Sequence, residues 1–339
     1  MMKGTRNVWR AIGFLAIVGT VGFVAMAGDL KGRFTAATDE RPFEFDAAIT
    51  TNTIHAQLQP KQSGIDDFIR IEGGKFRMGS PAGTTNNHNN ERPLKEVTLS
   101  TFYMDKYMVT QEDYETVMGN NPSYHNADPV NGEVQGKRPV ERVSWYDALV
   151  YANKLSDAKG LTPAYELPDE WPNPVSWSTD TADWGTVPTN GDTRWDNVRV
   201  VEGSTGYRLP TEAQWEYAAR GGNGSPGNFT YSGSNTIGDV AWYYDNSQNR
   251  THEVGKKMAN GLGLYDMNGN AWEWVWDWYG TYPGTAQIDP TGAPTGSDRI
   301  CRGGNWWNSA MNNRVISRFI YGPHIRDGSL GFRLARPAQ

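Results

Sequence analysis

Two stretches of the chain hold residues whose types and spacing could do chemistry. Asp266–Glu273 (DMNGNAWE) packs two carboxylates, two side-chain amides and the carbonyls of an Asn-Gly turn into eight residues. Hard oxygen donors at that density suit a Ca2+ ion. The same residues also read as a plain Asn-Gly turn leading into two core tryptophans, Trp272 and Trp274. The second stretch, Asn308–Ser329, mixes Asn, Ser, Phe, Ile, Tyr, His and Asp between Arg, Gly and Leu residues that look fixed. This is the chemistry of a binding surface: aromatic anchors, Phe319 and Tyr321, with adaptable polar groups around them. Catalytic chemistry is harder to find. There is no GxxxxGK[ST], GxSxG or HExxH, and the five His (55, 88, 125, 252, 324) never fall three or four apart. No carboxylate pair stands out by spacing, and Gly73-Gly74 and Gly303-Gly304 lack the strand-to-helix setting of a phosphate loop. The single Cys, Cys301, excludes an internal disulfide framework, a Cys-based zinc knuckle and a CxxC redox pair.

Composition narrows the classes further. The 339 residues carry 32 Lys plus Arg against 38 Asp plus Glu, a net charge of −6. Such a chain lacks the basic field that holds a phosphate backbone, so no nucleic-acid partner is expected. A mean hydropathy of −0.65 excludes a polytopic membrane protein. With 38 Gly, 19 Pro and 12% aromatics, the composition fits a loop-heavy globular fold anchored by large rings. At the N-terminus, Lys3, Arg6 and Arg10 precede an uncharged run from Ala11 to Ala27 that ends in Ala25-Met26-Ala27. That pattern describes a signal peptide over residues 1–27 and an exported protein, in the periplasm, at the cell surface or secreted. If the segment is retained instead, it is a membrane tether. Position 28 is Gly, not the Cys a lipoprotein needs.

The elements that must position these residues follow from local signals. Residues 28–66 are polar and aperiodic and read as a flexible leader, so the folded domain is expected over 67–339. It opens with a short strand, Phe68–Ile71. Three helices are marked by their caps: Thr110 with Asp113, Ser144 with Asp147, and Thr211 with Gln214. The second runs to Gly160 with Trp145, Ala148, Leu149, Ala152 and Leu155 on one stripe. Leu161–Gly206 has no clear period and reads as an inserted surface loop. Beyond Gly222, short aromatic segments alternate with Gly/Asn/Pro turns. The fold class is therefore α+β: two or three helices against a small twisted antiparallel sheet with long loops.

Six blocks then resemble the formylglycine-generating-enzyme (sulfatase-modifying factor) family, a divergent C-type-lectin-like fold. They are Ile71–Ser80 (IEGGKFRMGS), Arg138–Ala148 (RPVERVSWYDA), Tyr207–Arg220 (YRLPTEAQWEYAAR), Gly263–Trp274 (GLYDMNGNAWEW), Arg302–Asn305 (RGGN) and Gly331–Leu334 (GFRL). The enzymes of that family oxidise a substrate Cys with Cu(I) held by two thiolates shortly after the Gly-Gly. Here Asn308 and Asn313 stand at those places, and an amide has neither the charge nor the softness Cu(I) requires. No copper and no oxidase are expected. The related iron-dependent branch needs a three-His helical domain that this chain does not have. The resemblance also implies a structural calcium site with the Asp266 and Glu273 side chains and the Gly269 and Ala271 carbonyls as ligands.

The ending of the chain is similar to the variable proteins of diversity-generating retroelements, in which this segment is randomised and displayed as a ligand-binding surface. Residues 312–329 contain no Lys, Glu, Gln, Met or Trp, the residues a pyrimidine-ending codon cannot encode. The resemblance implies a non-catalytic surface for a protein or glycan ligand made of Asn308, Ser309, Asn312, Asn313, Phe319, Ile320, Tyr321, His324, Asp327 and Ser329. Trp306 and Trp307 read as core or fixed contact residues. A fixed-sequence accessory domain and a residual enzyme are the competing readings.

Overall fold

The computed structural model describes residues 67–81, 88–222 and 229–338, together with the backbone of three strands nearer the N-terminus. Those strands, β1 (Leu30–Thr35), β2 (Pro42–Thr50) and β3 (Thr53–Leu58), form an antiparallel meander in the order β1-β2-β3. The expected signal segment lies outside the described residues. The meander falls within 28–66, the stretch whose composition reads as a flexible leader. Along β2, Phe43, Phe45, Ala47 and Ile49 recur at a period of two, a strand signal diluted by the polar residues on either side. The chain divides into two compact units, 1–63 and 64–339.

The larger unit begins with β4 (Phe68–Ile71), β5 (Gly74–Met78), β6 (Lys95–Leu99) and β7 (Phe102–Asp105). Helices α1 (Gln111–Met118) and α2 (Trp145–Ala158) follow. Next come β8 (Tyr165–Pro168), β9 (Trp177–Ser178), α3 (Thr193–Asp196), β10 (Arg199–Val200) and α4 (Glu212–Ala219). The chain ends with α5 (Ile237–Val240), β11 (Trp272–Trp278), β12 (Gln287–Ile288), β13 (Arg299–Arg302), β14 (Arg318–Tyr321), β15 (Leu330–Phe332) and β16 (Ala335–Pro337). The central sheet has the order β14-β13-β11-β15, with β14 at its edge. Two smaller sheets, β12-β6-β5 and β16-β7-β4, flank it, the second joining the C-terminus to the start of the domain.

All three expected helices start at their caps. Thr110 Oγ1 accepts the Asp113 N–H at 3.2 Å, and Thr211 Oγ1 accepts that of Gln214 at 3.2 Å. Ser144 and Asp147 cap each other reciprocally, at 3.1 and 2.8 Å. Each such cap satisfies amides the first helical turn leaves unpaired, worth about 1 kcal/mol. α1 ends at Gly119, whose φ of 80° a side chain would strain. α2 is buried on nearly every side, so its apolar stripe is only part of what it covers. Indole hydrogen bonds lock it to the sheet: Trp145 Nε1 donates to the Val275 carbonyl at 3.0 Å, and Trp274 Nε1 to that of Val143 at 2.9 Å.

The stretch 161–206 is not a surface loop. It builds a three-stranded sheet, β10-β8-β9, and inserts Trp184, Trp195 and Tyr165 into the core. Tyr165 stacks on Trp276 with centroids 5.2 Å apart. Strands of two to four residues are too short to show a period, so the rings that fix this region carry no pattern legible in advance.

Candidate functional site

The C-terminal segment is held by arginines, each paired with a carboxylate elsewhere in the domain. Two of these carboxylates are one helical turn apart on α4, Glu212 and Glu216, and both side chains are buried. Arg302 pairs with Glu216 and approaches Glu212 at 3.4 Å. Arg318 grips Glu212 with a two-pronged bond, 2.6 and 2.9 Å. Arg314 pairs with Glu91 at 2.8 and 3.2 Å. Arg326 pairs with Asp147, the cap of α2, at 2.7 and 3.0 Å. Arg333 pairs with Glu273 at 2.7 Å from both Nε and Nη2. Planar, two-pronged pairs fix direction as well as distance. Burial alone would raise the Glu212 carboxyl, but the Arg318 and Arg302 guanidiniums outweigh it and hold the carboxyl below its ordinary value.

Between these pegs lie exposed and half-buried side chains. In β14, Arg318 faces α4 while Phe319, next along the strand, is exposed. Phe319 stacks on Trp272 at 5.4 Å and meets Tyr321 edge-on at 5.1 Å. Burial, then the charge of Asp327, pushes the Tyr321 hydroxyl up to about 12. Ser309 is exposed, and Asn308, Asn312, Ile320, His324 and Asp327 are half-buried.

Two of the expected surface residues are interior ones. Asn313 has no exposed surface, and its Nδ2 donates to the carbonyls of Asn308 and Ser309 at 3.2 and 2.9 Å. It tightens the 3-10 turn Ala310–Asn313. Ser329 is buried, bonded through Oγ to Asp327 Oδ1 at 2.6 Å. Both are corrections: the Asn313 amide is bonded to backbone carbonyls and the Ser329 hydroxyl to the Asp327 side chain, and neither residue faces solvent.

The carboxylates of the turn expected to hold calcium both accept hydrogen bonds. Glu273 has no exposed surface, and its oxygens serve Arg333 and the Trp215 indole, which donates at 2.9 Å. Asp266 Oδ2 accepts the Gly255 N–H at 2.7 Å. The guanidinium of Arg333 pairs with Glu273 at the end of this turn. The Asn-Gly turn itself is present, with Gly269 at a φ of 74°, where a Cβ would collide with the Trp242 carbonyl.

Copper chemistry lacks its donors. Cys301 is fully buried on β13, opposite Phe319, and burial pushes its thiol well above the ordinary value. Asn308 and Asn313 supply no thiolate, and the Asn313 side chain is spent on the turn.

Sequence reasoning missed several residues beside this surface. Tyr124 and His125 lie on a loop whose two amides are both held by Glu141, at 2.8 and 2.7 Å. His125 meets the Trp306 ring at 5.0 Å, and Tyr244 meets Trp307 at 5.4 Å. Burial, then the Arg138 charge, lowers His125 to about 4, so the ring is neutral at pH 7. No local motif marks Tyr124 or Tyr244, because only the fold brings them to the C-terminal segment.

The arrangement defines a class: a C-type-lectin-like α+β domain that holds an irregular C-terminal segment on buried ion pairs. The family model described as the sulfatase-modifying factor enzyme 1-like domain matches residues 55–338, and the chain belongs to that family. Chaperone protein LppX of Paenibacillus barcinonensis is 39% identical over 269 residues, covering 74% of this chain and 82% of its own length. The formylglycine-generating enzyme of Streptomyces coelicolor is 29% identical over 295 residues, covering 80% and 89%. Among solved structures, Treponema denticola variable protein 1 matches with a TM-score of 0.71 and 33% identity, covering 91% of this chain and 99% of its own. The match begins thirteen residues before the larger unit's first strand, within β3.

Proposed function

We propose that the protein is an exported, non-catalytic binder whose C-terminal segment presents a diversified surface to a protein or glycan ligand. One observation carries this reading. The arginine pegs hold the backbone through residues 302, 314, 318, 326 and 333, while Ser309 and Phe319 are exposed and Asn308, Asn312, Ile320, Tyr321, His324 and Asp327 half-buried between them. A backbone fixed by buried charge tolerates changes in the residues it displays. The likeness to a solved protein named as a variable protein supports the same reading. Export rests on the N-terminal pattern of residues 1–27. No helix among the described residues is long and apolar enough to cross a membrane.

A second reading, a chaperone or accessory domain of fixed sequence, is favoured by the 39% identity to a relative named as a chaperone. Deep sequencing of the gene's 3′ end and its downstream flank separates the two. Variation confined to the codons of 308–329, with an adenine-rich near-copy nearby, supports the diversified binder. An invariant segment without a template copy transfers the assignment to one constant partner.

A further inference from the structure

We infer that the binding face has a second, constant half: an aromatic rail that docks a folded protein partner whatever the displayed segment carries. The inference rests on reading the C-terminal surface as a binding face. Tyr124, His125, Trp306, Trp307 and Tyr244 form one unbroken row, with successive ring centroids 5.0, 5.0, 5.5 and 5.4 Å apart. Tyr124, Trp307 and Tyr244 are 66%, 55% and 53% exposed, and Phe319, on the displayed strand, is 44% exposed. Of the eleven large hydrophobic side chains exposed among the described residues, five belong to the rail or the adjoining segment. Clustering of that kind marks an interaction face, where scattered exposed rings would not.

The rail is anchored through main-chain atoms. Trp306 Nε1 donates to the Gly328 carbonyl at 3.1 Å, and its own N–H to the Asn270 carbonyl at 3.0 Å. The Tyr244 N–H donates to the Asn308 carbonyl at 3.0 Å. Trp307 N–H is held by the Asn305 side chain at 2.9 Å, and Asn305 precedes the displayed segment. Changing side chains at 308–327 therefore leaves the rail in place. Rigid rings held this way cost little entropy on binding, which is why Trp and Tyr dominate interface hot spots.

The chemistry favours a protein over a glycan. Neighbouring rings stand at 71° to 86° to one another, so the surface is corrugated. Ridges of a folded protein fit such a surface, whereas the flat face of a sugar ring stacks on a flat platform. Residues 301–338 contain no Lys, in keeping with the depletion of Lys from protein interface cores.

The test uses the full chain and a display library of fibronectin type III domains as the probe. Binders are selected against the native protein and against two versions with different residues at 312, 319–321, 324 and 327. Each pair is then measured with Trp307→Ala and Tyr244→Ala, and with Trp307→Phe as the conservative control, after thermal unfolding shows each variant folded. The inference predicts that the alanine variants weaken all three families of binders at least tenfold and that Trp307→Phe restores most of the affinity. It is overturned if the alanine variants change no affinity by more than about twofold, or if binders land outside this face. A glycan array bound through the rail, with no protein binders there, also overturns it. Loss on substituting the displayed residues alone would sink the rail and spare the proposed function. Loss on substituting the rail alone would do the reverse.

Discussion

The pegs and the residues between them share one segment and obey opposite rules. Arg302, Arg318 and Arg333 are buried, and each is committed to at least one carboxylate. Between them, Ser309 and Phe319 are exposed and Asn312 and Ile320 half-buried. Asn312 makes one exposed contact, its Oδ1 lying 3.3 Å from His88 Nε2. The contrast teaches how an irregular loop can be both well placed and permissive. Its position is set by charge pairs that cannot be broken cheaply, so its side chains need not contribute to the core.

The largest expected effect comes from breaking a peg. Glu212→Ala orphans Arg318 and deprives Arg302 of a neighbour, so urea unfolding should show a loss of about 3–5 kcal/mol. A loss below about 1 kcal/mol would erase the distinction between pegs and displayed residues. Next, Phe319→Ala combined with Tyr321→Ala should weaken a selected binder roughly a hundredfold, about 3 kcal/mol, as two aromatic anchors are removed. Unchanged affinity in titration calorimetry would place the ligand elsewhere.

A smaller effect concerns pH. Burial raises Glu141 from its ordinary 4.5 to about 7. A carboxyl raised in the folded state contributes stability that is complete below its unfolded value and lost as pH rises through the folded one. Thermal midpoints should therefore fall between pH 4.5 and 7 on this account. Glu141→Gln should flatten that part of the profile while lowering its level, because one oxygen holding the Tyr124–His125 amides becomes a donor. A profile with the same slope in the variant would assign the dependence to other carboxyls. The smallest effects should come from Asn312→Ser, Ile320→Thr and His324→Asn, each shifting stability by less than about 0.5 kcal/mol in the same unfolding assay.

Much of the fold was legible because it is written in local chemistry. Caps such as Ser144 with Asp147 announce a helix within four residues, and all three such signals sit where helices begin. What escaped was non-local or too short. The β10-β8-β9 sheet has strands of two to four residues, and its Trp184 and Trp195 read as loop aromatics until the fold buries them. The pairing of Glu273 with Arg333, sixty residues further on, is invisible in the local sequence of the Asp266–Glu273 turn. Asn313 looked displayed because its neighbours are. Only the turn geometry shows its amide folded back on Asn308 and Ser309. The rail residues Tyr124 and Tyr244 lie far from the segment in sequence and carry no motif.

The central claim is most directly tested by two display libraries of the full chain, sorted for protease resistance and counted by sequencing. One randomises 308, 309, 312, 319–321, 324 and 327; the other randomises 302, 314, 318, 326 and 333. The account predicts that most members of the first library stay folded and that the second collapses to sequences retaining arginine at the pegs. Equal survival of the two libraries, or collapse of the first, would contradict it.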